Sequence, residues 1–208
     1  MDRSGASLAY YERPLSSSES QARSAVLQGC GLKESDYSLI FLPNARSGLD
    51  IMANAYPFAR YPMFLNCLTG AEGKGLTDAA ERVKGRVLAA QQTWLNLNIA
   101  GSQLSLTIRR KSSRAGAYGG PKGLFAYPLI PTVSKGSQAC SRYSLHWISE
   151  AQRNGWHVLL DASAISLGMD KLDLSLHRPD YVICNFTQLA GYSSSISCLV
   201  FRKSLRSL

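Results

Sequence analysis

The sequence predicts an α/β fold built on a doubly wound, mostly parallel sheet. Three observations point there. Short β-rich runs alternate with helical patterns, each bounded by Gly, Pro or Asn. The strand runs are continuously apolar instead of alternating, which requires cover on both faces of the sheet. Apolar residues make up 45% of the 208, enough for one sizeable core. No internal repeat interrupts the pattern.

Residues 1–16 read as an N-terminal tail and 17–208 as one domain. "YSLIFL" (37–42) is the first buried strand, and "RSGLDIMANAYPF" (46–58) a helix closing at Pro57, whose ring cannot continue it. "MFLNCL" (63–68) is the second strand. "GLTDAAERVKG" (75–85) follows as a helix with Gly85 expected at the C′ position. "RVLAAQ" (86–91) gives a third strand and "SQLSLTIRRK" (102–111) a helix, before a flexible basic loop at 111–122. "GLFAYPL" (123–129) is the fourth strand. "SRYSLHWISEAQRNG" (141–155) reads as an amphipathic helix with Tyr143, Trp147 and Ala151 on one face and Gly155 as its stop. "WHVLLDAS" (156–163), "RPDYVICNF" (178–186) and "SCLVFRKS" (197–204) complete the sheet.

Composition excludes several classes. No apolar run has the length of a bilayer span, so no membrane association is expected. The first twenty residues hold Asp2, Glu12 and Glu19 and no apolar stretch, unlike a secretory signal or transit peptide. Five cysteines, odd in number and without a CxxC pair, suit a reducing, cytoplasmic setting and no zinc site. The net charge of +9 is concentrated in "RRKSSR" (109–114), Lys122 and the last seven residues. Neither RNP-type aromatics nor a helix-turn-helix pattern accompanies it, so nucleic acid is not expected as a partner.

In such a sheet the carboxyl ends of the strands converge on one crevice. The residues due there are Asn44, Ala45 and Arg46; Thr69, Gly70 and Ala71; Pro131, Thr132 and Ser134; Asp161 and Ser163; and Asn185, Thr187 and Gln188. Asp161 is the one acid in this set. His146, His157 and His177 fall on a helix, a strand start and a loop, and are expected to be structural or solvent-facing. A Gly-x-Ser-x-Gly elbow, a Walker lysine and a Gly-x-Gly-x-x-Gly loop are all missing, so those hydrolase and nucleotide readings lack their parts.

Residues 156–204, from "WHVLLDAS" through "RPDYVICNF" to "CLVFRKS", resemble the pyridoxal-phosphate fold of class V aminotransferases. The likeness is strongest to molybdenum cofactor sulfurases, and within these to plant sulfurase-like homologues. It runs from about residue 17 to 205, and "YSLIFLPNARSGLDIMANAYPF" resembles the family's phosphate-binding turn and helix. The resemblance implies an aspartate aminotransferase-like large domain, here incomplete at both ends, and a homodimer through that domain.

The site residues follow by position. Asp161 matches the aspartate that keeps the cofactor's pyridine nitrogen protonated. Arg46, Asn185 and Thr187 match cofactor-facing positions, Arg46 as a candidate for the phosphate. Gln188 stands where the family's Schiff-base lysine should be, and a carboxamide nitrogen is not an amine nucleophile. The ring-stacking histidine falls near Gly70, the residue expected after Asp161 is Ala164, and none of Cys30, Cys67, Cys140, Cys184 or Cys198 takes the persulfide position. The expectation is a catalytically degenerate sulfurase-like protein, a pseudoenzyme to which pyridoxal phosphate is not covalently bound. The alternatives are an active cysteine desulfurase-type sulfur transferase and a non-enzymatic scaffold using the basic loop.

Overall fold

The computed structural model describes residues 16–68, 70–90, 100–110, 120–130, 142–167, 170–186 and 196–205. Helices and strands alternate as α1 (Ser17–Gly29), β1 (Tyr37–Leu42), α2 (Ala45–Ala55), β2 (Met63–Asn66), α3 (Lys74–Arg82) and β3 (Arg86–Ala89). There follow α4 (Gly101–Arg109), β4 (Gly123–Pro128), α5 (His146–Arg153), β5 (Trp156–Ser166), β6 (Tyr181–Phe186) and β7 (Ile196–Arg202). The sheet order is β1-β7-β6-β5-β4-β2-β3, with β7 antiparallel to both neighbours and every other pair parallel. This is the expected doubly wound, mostly parallel sheet.

Each face carries its own core. Leu27, Leu104, Ile108, Ile148 and Ala151 bring α1, α4 and α5 onto one side. On the other, Leu49, Met52 and Ala55 of α2 join Leu76, Ala79 and Ala80 of α3. β4 is buried at all six positions, as a strand covered on both faces must be. Two ties hold the first layer together: Glu150 of α5 pairs with Arg109 of α4 at 2.7 Å, and the Trp156 indole donates to the Ile108 carbonyl at 2.9 Å.

Three details depart from the sequence reading. The helix expected at 141–155 occupies only His146–Arg153. Tyr143 precedes it, donating its N–H to the Leu129 carbonyl at 2.8 Å, and so prolongs the end of β4. Ser144 then accepts from the His146 N–H at 3.2 Å, and Ile148 and Ala151 form the buried face. Secondly, the left-handed position ending α3 falls to Lys84 (φ 57), not Gly85. Lys84 N–H bonds Glu81 and Gly85 N–H bonds Ala80, the paired closure of a Schellman end. Gly85 is required for another reason, since a Cβ there would lie 2.7 Å from the Pro62 carbonyl. Thirdly, β5 runs past Ser163 to Ser166, with a register shift after Ala162.

His157 near the start of β5 is buried among Tyr56, Tyr61 and Tyr181, with its Nδ1 3.0 Å from the Tyr56 hydroxyl. Burial pushes the imidazole's pKa below its ordinary value, against the opposing pull of Asp180, so the folded ring is held neutral. The unfolded chain then binds the extra proton first. Stability is expected to fall as pH drops below about 6.5, with the slope reduced in His157→Gln, as read by urea unfolding between pH 7.5 and 5. In the same assay Gly123→Ala should cost about 1–3 kcal/mol or more, because its Cβ would meet the Met63 carbonyl of the neighbouring strand at 1.7 Å.

Candidate functional site

The carboxyl ends of β1, β2, β4, β5 and β6 meet at one end of the sheet, and the crevice is built there. Asp161 lies on β5 opposite Pro128 of β4 and Ile183 of β6, just before the register shift. The shift releases the backbone from Ser163 to Ile165 and leaves Asp161 as the last acid in regular pairing. Its side chain is 4% exposed, and one carboxylate oxygen accepts the Ser163 N–H at 2.9 Å. Burial raises its pKa above the ordinary carboxylate value, and the Ser163 hydrogen bonds pull the other way. Such a group gains when a cationic N–H comes to it.

The N-terminus of α2 forms the second wall. Asn44 is extended, and its side-chain oxygen accepts from both the Ser47 N–H (2.9 Å) and the Ser47 hydroxyl (3.0 Å). One of the amides an anion would use is thereby occupied. Arg46 is exposed, but its guanidinium bonds Asp50 at 3.2 Å and the Ala71 carbonyl at 3.1 Å. It fastens α2 to the turn after β2.

Asn185 ends up directly across from Ser197 of β7, whose hydroxyl donates to the Asn185 side-chain oxygen at 3.3 Å. Its own carbonyl accepts the Leu167 N–H at 3.0 Å. Thr187 and Gln188 lie outside the described residues, as do Thr69, Thr132 and Ser134; β6 delivers the chain as far as Phe186.

The sequence reading missed Glu72. This residue is half-buried in the turn after β2, and burial together with the Asp161 charge pushes its carboxyl up, while Arg46 pulls it down. The reading had placed Thr69, Gly70 and Ala71 there and stopped one residue short. Cys30, Cys67, Cys184 and Cys198 are free and buried under the sheet, so none is presented to the crevice. Among the described residues no group of His, Cys, Asp and Glu could hold a metal ion, and no helix is long and apolar enough to cross a membrane.

Comparison with known proteins fits this geometry. No family model matches the chain. It is 30% identical over 204 residues to the molybdenum cofactor sulfurase of Bos taurus, an alignment covering 90% of this chain and 22% of that protein. The molybdenum cofactor sulfurase of Solanum lycopersicum is 24% identical over 212 residues, covering 90% and 25%. The chain is homologous to the molybdenum cofactor sulfurases. It spans about a quarter of the length of the curated relatives it matches. Among solved structures, the cysteine desulfurase of Thermococcus onnurineus superposes with a TM-score of 0.63 at 14% identity, over 88% of this chain and 42% of that one. The alanine–glyoxylate aminotransferase of Nostoc gives 0.60 at 17% identity, over 90% and 45%. This sulfurase homologue therefore has the fold of the pyridoxal-phosphate transferases.

A carboxylate buried this deeply with a raised pKa costs stability at neutral pH, because the native state must keep it charged or take up a proton that the unfolded chain does not. Asp161→Asn in the ligand-free protein is expected to raise stability at pH 7 by on the order of 1 kcal/mol. The gain should shrink as pH falls toward about 3.9, where the unfolded carboxyl is also protonated. Urea midpoints of the two proteins across that range give the comparison.

Proposed function

We propose that this sulfurase homologue keeps the cofactor-facing frame of a pyridoxal-phosphate transferase without its covalent chemistry. The observation that carries this reading is Gln188, which occupies the position of the Schiff-base lysine two residues beyond the end of β6. The chain's residues fit the cofactor at two points. Asp161 is a buried carboxylate suited to a protonated ring nitrogen, and the amide end of α2 is suited to a phosphate. Once bound, pyridoxal phosphate supplies an electron sink. Asp161 would orient the ring and hold the proton on its nitrogen. The Ala45 and Arg46 amides would face the phosphate, in competition with the Asn44 cap.

What the frame lacks is an amine. A glutamine nitrogen is delocalised into its carbonyl and forms no imine, so the cofactor would be held by charge and hydrogen bonds alone. The free, buried thiols of the described residues suit a reducing compartment such as the cytoplasm. Pairing of two copies through this domain belongs to the same reading and is measurable by sedimentation.

The wild-type chain, dialysed and supplied with pyridoxal phosphate, is expected to release no sulfide from cysteine. Borohydride should fix no cofactor on the peptide carrying residue 188. Gln188→Lys should restore a fixed adduct on that peptide, seen by mass spectrometry. Cysteine-dependent sulfide release by the wild-type chain would overturn the proposal in favour of an active desulfurase.

A further inference from the structure

Three of the free thiols lie together. Cys184 of β6 stands directly across from Cys198 of β7, and Cys198 in turn stands across from Phe41 of β1. Residues opposite one another on neighbouring strands share a face, so Phe41, Cys198 and Cys184 form a row across three strands. Cys30, the C-terminal cap of α1, packs into the same core, and its thiol and that of Cys198 are both hydrogen-bond partners of Cys184. The Leu174 N–H holds the Cys30 carbonyl at 2.9 Å. All three cysteines are no more than 1% exposed. Cys67, at the end of β2, is separated from β6 by β4 and β5.

The backbone already has the spacing of a disulfide. Arg202 donates its N–H to the Asp180 carbonyl, which makes 180 and 202 a hydrogen-bonded pair. Such pairs alternate along an antiparallel ladder, so Cys184 and Cys198 are one too, with Cα atoms about 5.5 Å apart. Disulfides span Cα separations of about 4.4–6.8 Å. A way in lies beside them. A groove of about 720 Å³ is lined by Ala22, Ala25 and Gly29 of α1 and by Phe41, Phe186 and Ile196 of the strands. Phe186 and Ile196 are the next pair on the same face beyond the two cysteines, and Gly29 directly precedes Cys30. A lining this apolar admits a small neutral molecule more readily than an ion.

We propose that Cys184 and Cys198 form a peroxide-responsive pair, which hydrogen peroxide entering by the groove converts to a cross-strand disulfide. In the first step one sulfur attacks the peroxide: an S–O bond forms, the O–O bond breaks, and water leaves with the thiol proton. The second sulfur then attacks the sulfenic acid. The S–S bond forms, the S–O bond breaks, and a second water carries off the remaining thiol proton. Two thiols are oxidised and one peroxide is reduced to two waters. The bond fixes the end of β6 to the start of β7, beside the crevice residue Asn185 and its partner Ser197.

No lysine or arginine lies between the two cysteines, so trypsin leaves both on one peptide and puts Cys30 and Cys67 on others. The folded chain is treated with a small excess of hydrogen peroxide, freed of it, unfolded and alkylated. Mass spectrometry should find the shared peptide two hydrogens lighter and without alkyl groups, while Cys30 and Cys67 are alkylated. Dithiothreitol should restore both labels. Full alkylation of the shared peptide, a link from either cysteine to Cys30, or sulfinic acid in place of the bond overturns the proposal. The oxidised protein should unfold at a higher urea midpoint than the reduced one, and a lower midpoint shows that the register does not suit the bond. Ala25→Trp, at an exposed position on the groove, should slow the oxidation several-fold. An unchanged rate overturns entry by the groove.

Discussion

The crevice depends on a carboxylate at the opposite end of the sheet. Asp180, 6% exposed just before β6, accepts the Val158 N–H of β5 at 2.9 Å and the Gln152 amide of α5 at 3.1 Å through one oxygen. Its other oxygen lies 3.4 Å from Arg202 at the end of β7. Its own N–H bonds the Val158 carbonyl, and its carbonyl receives the Arg202 N–H. One residue thus binds β5, β6, β7 and α5 at a single point. A buried charge is tolerated only when surrounded by donors, and here the donors are the strands themselves. Slipping any of the three strands by one residue would strand that charge. Its register pairs Leu159 with Tyr181 and so brings Asp161 beside Ile183 at the far end.

The two ends of the sheet therefore carry different burdens. At the Asp180 end, polar groups close on one another: Tyr37 donates to the Pro179 carbonyl at 2.8 Å, Arg202 reaches the Arg178 carbonyl, and His157 meets Tyr56. At the Asp161 end they stay partly open. Among the described residues Asp161 is bonded to Ser163 and to no counter-charge, and its charge works against ionisation of the half-buried Glu72. That imbalance is what a ligand-binding end looks like, since groups arranged for a partner fit each other poorly.

Much of this was legible from the residues. β1 matches "YSLIFL" end for end, β4 and β6 fall within their apolar runs, and β7 begins one residue before its own, because strands covered on both faces leave an unbroken hydrophobic signature. Asp161 was singled out for the same reason: an acid that closes such a run stands out. Other features were set by tertiary contacts that no local pattern records. Helix α5 starts late because Tyr143 is drawn onto the Leu129 carbonyl. Gly85 was read as a C′ glycine, yet it is needed for its closeness to Pro62, and Lys84 takes the strained backbone. Arg46 has the right place and charge for an anion, but Asp50, four residues on, is a neighbour on the same helix face.

This division bears on the proposed reading, in which a glutamine stands in the lysine position. The buried Asp180 network holds β5, β6 and β7 in register from the end of the sheet opposite Asp161. Asp161 is different. It is buried where a neutral side chain would be less costly, and its raised pKa opposes the charged form at neutral pH. In the proposed reading Asp161 would face the cofactor's ring nitrogen, and no amine would reach its aldehyde carbon. Ion pairing with a protonated heterocycle would then be the interaction that remains, and the residues of the crevice would serve binding and not turnover.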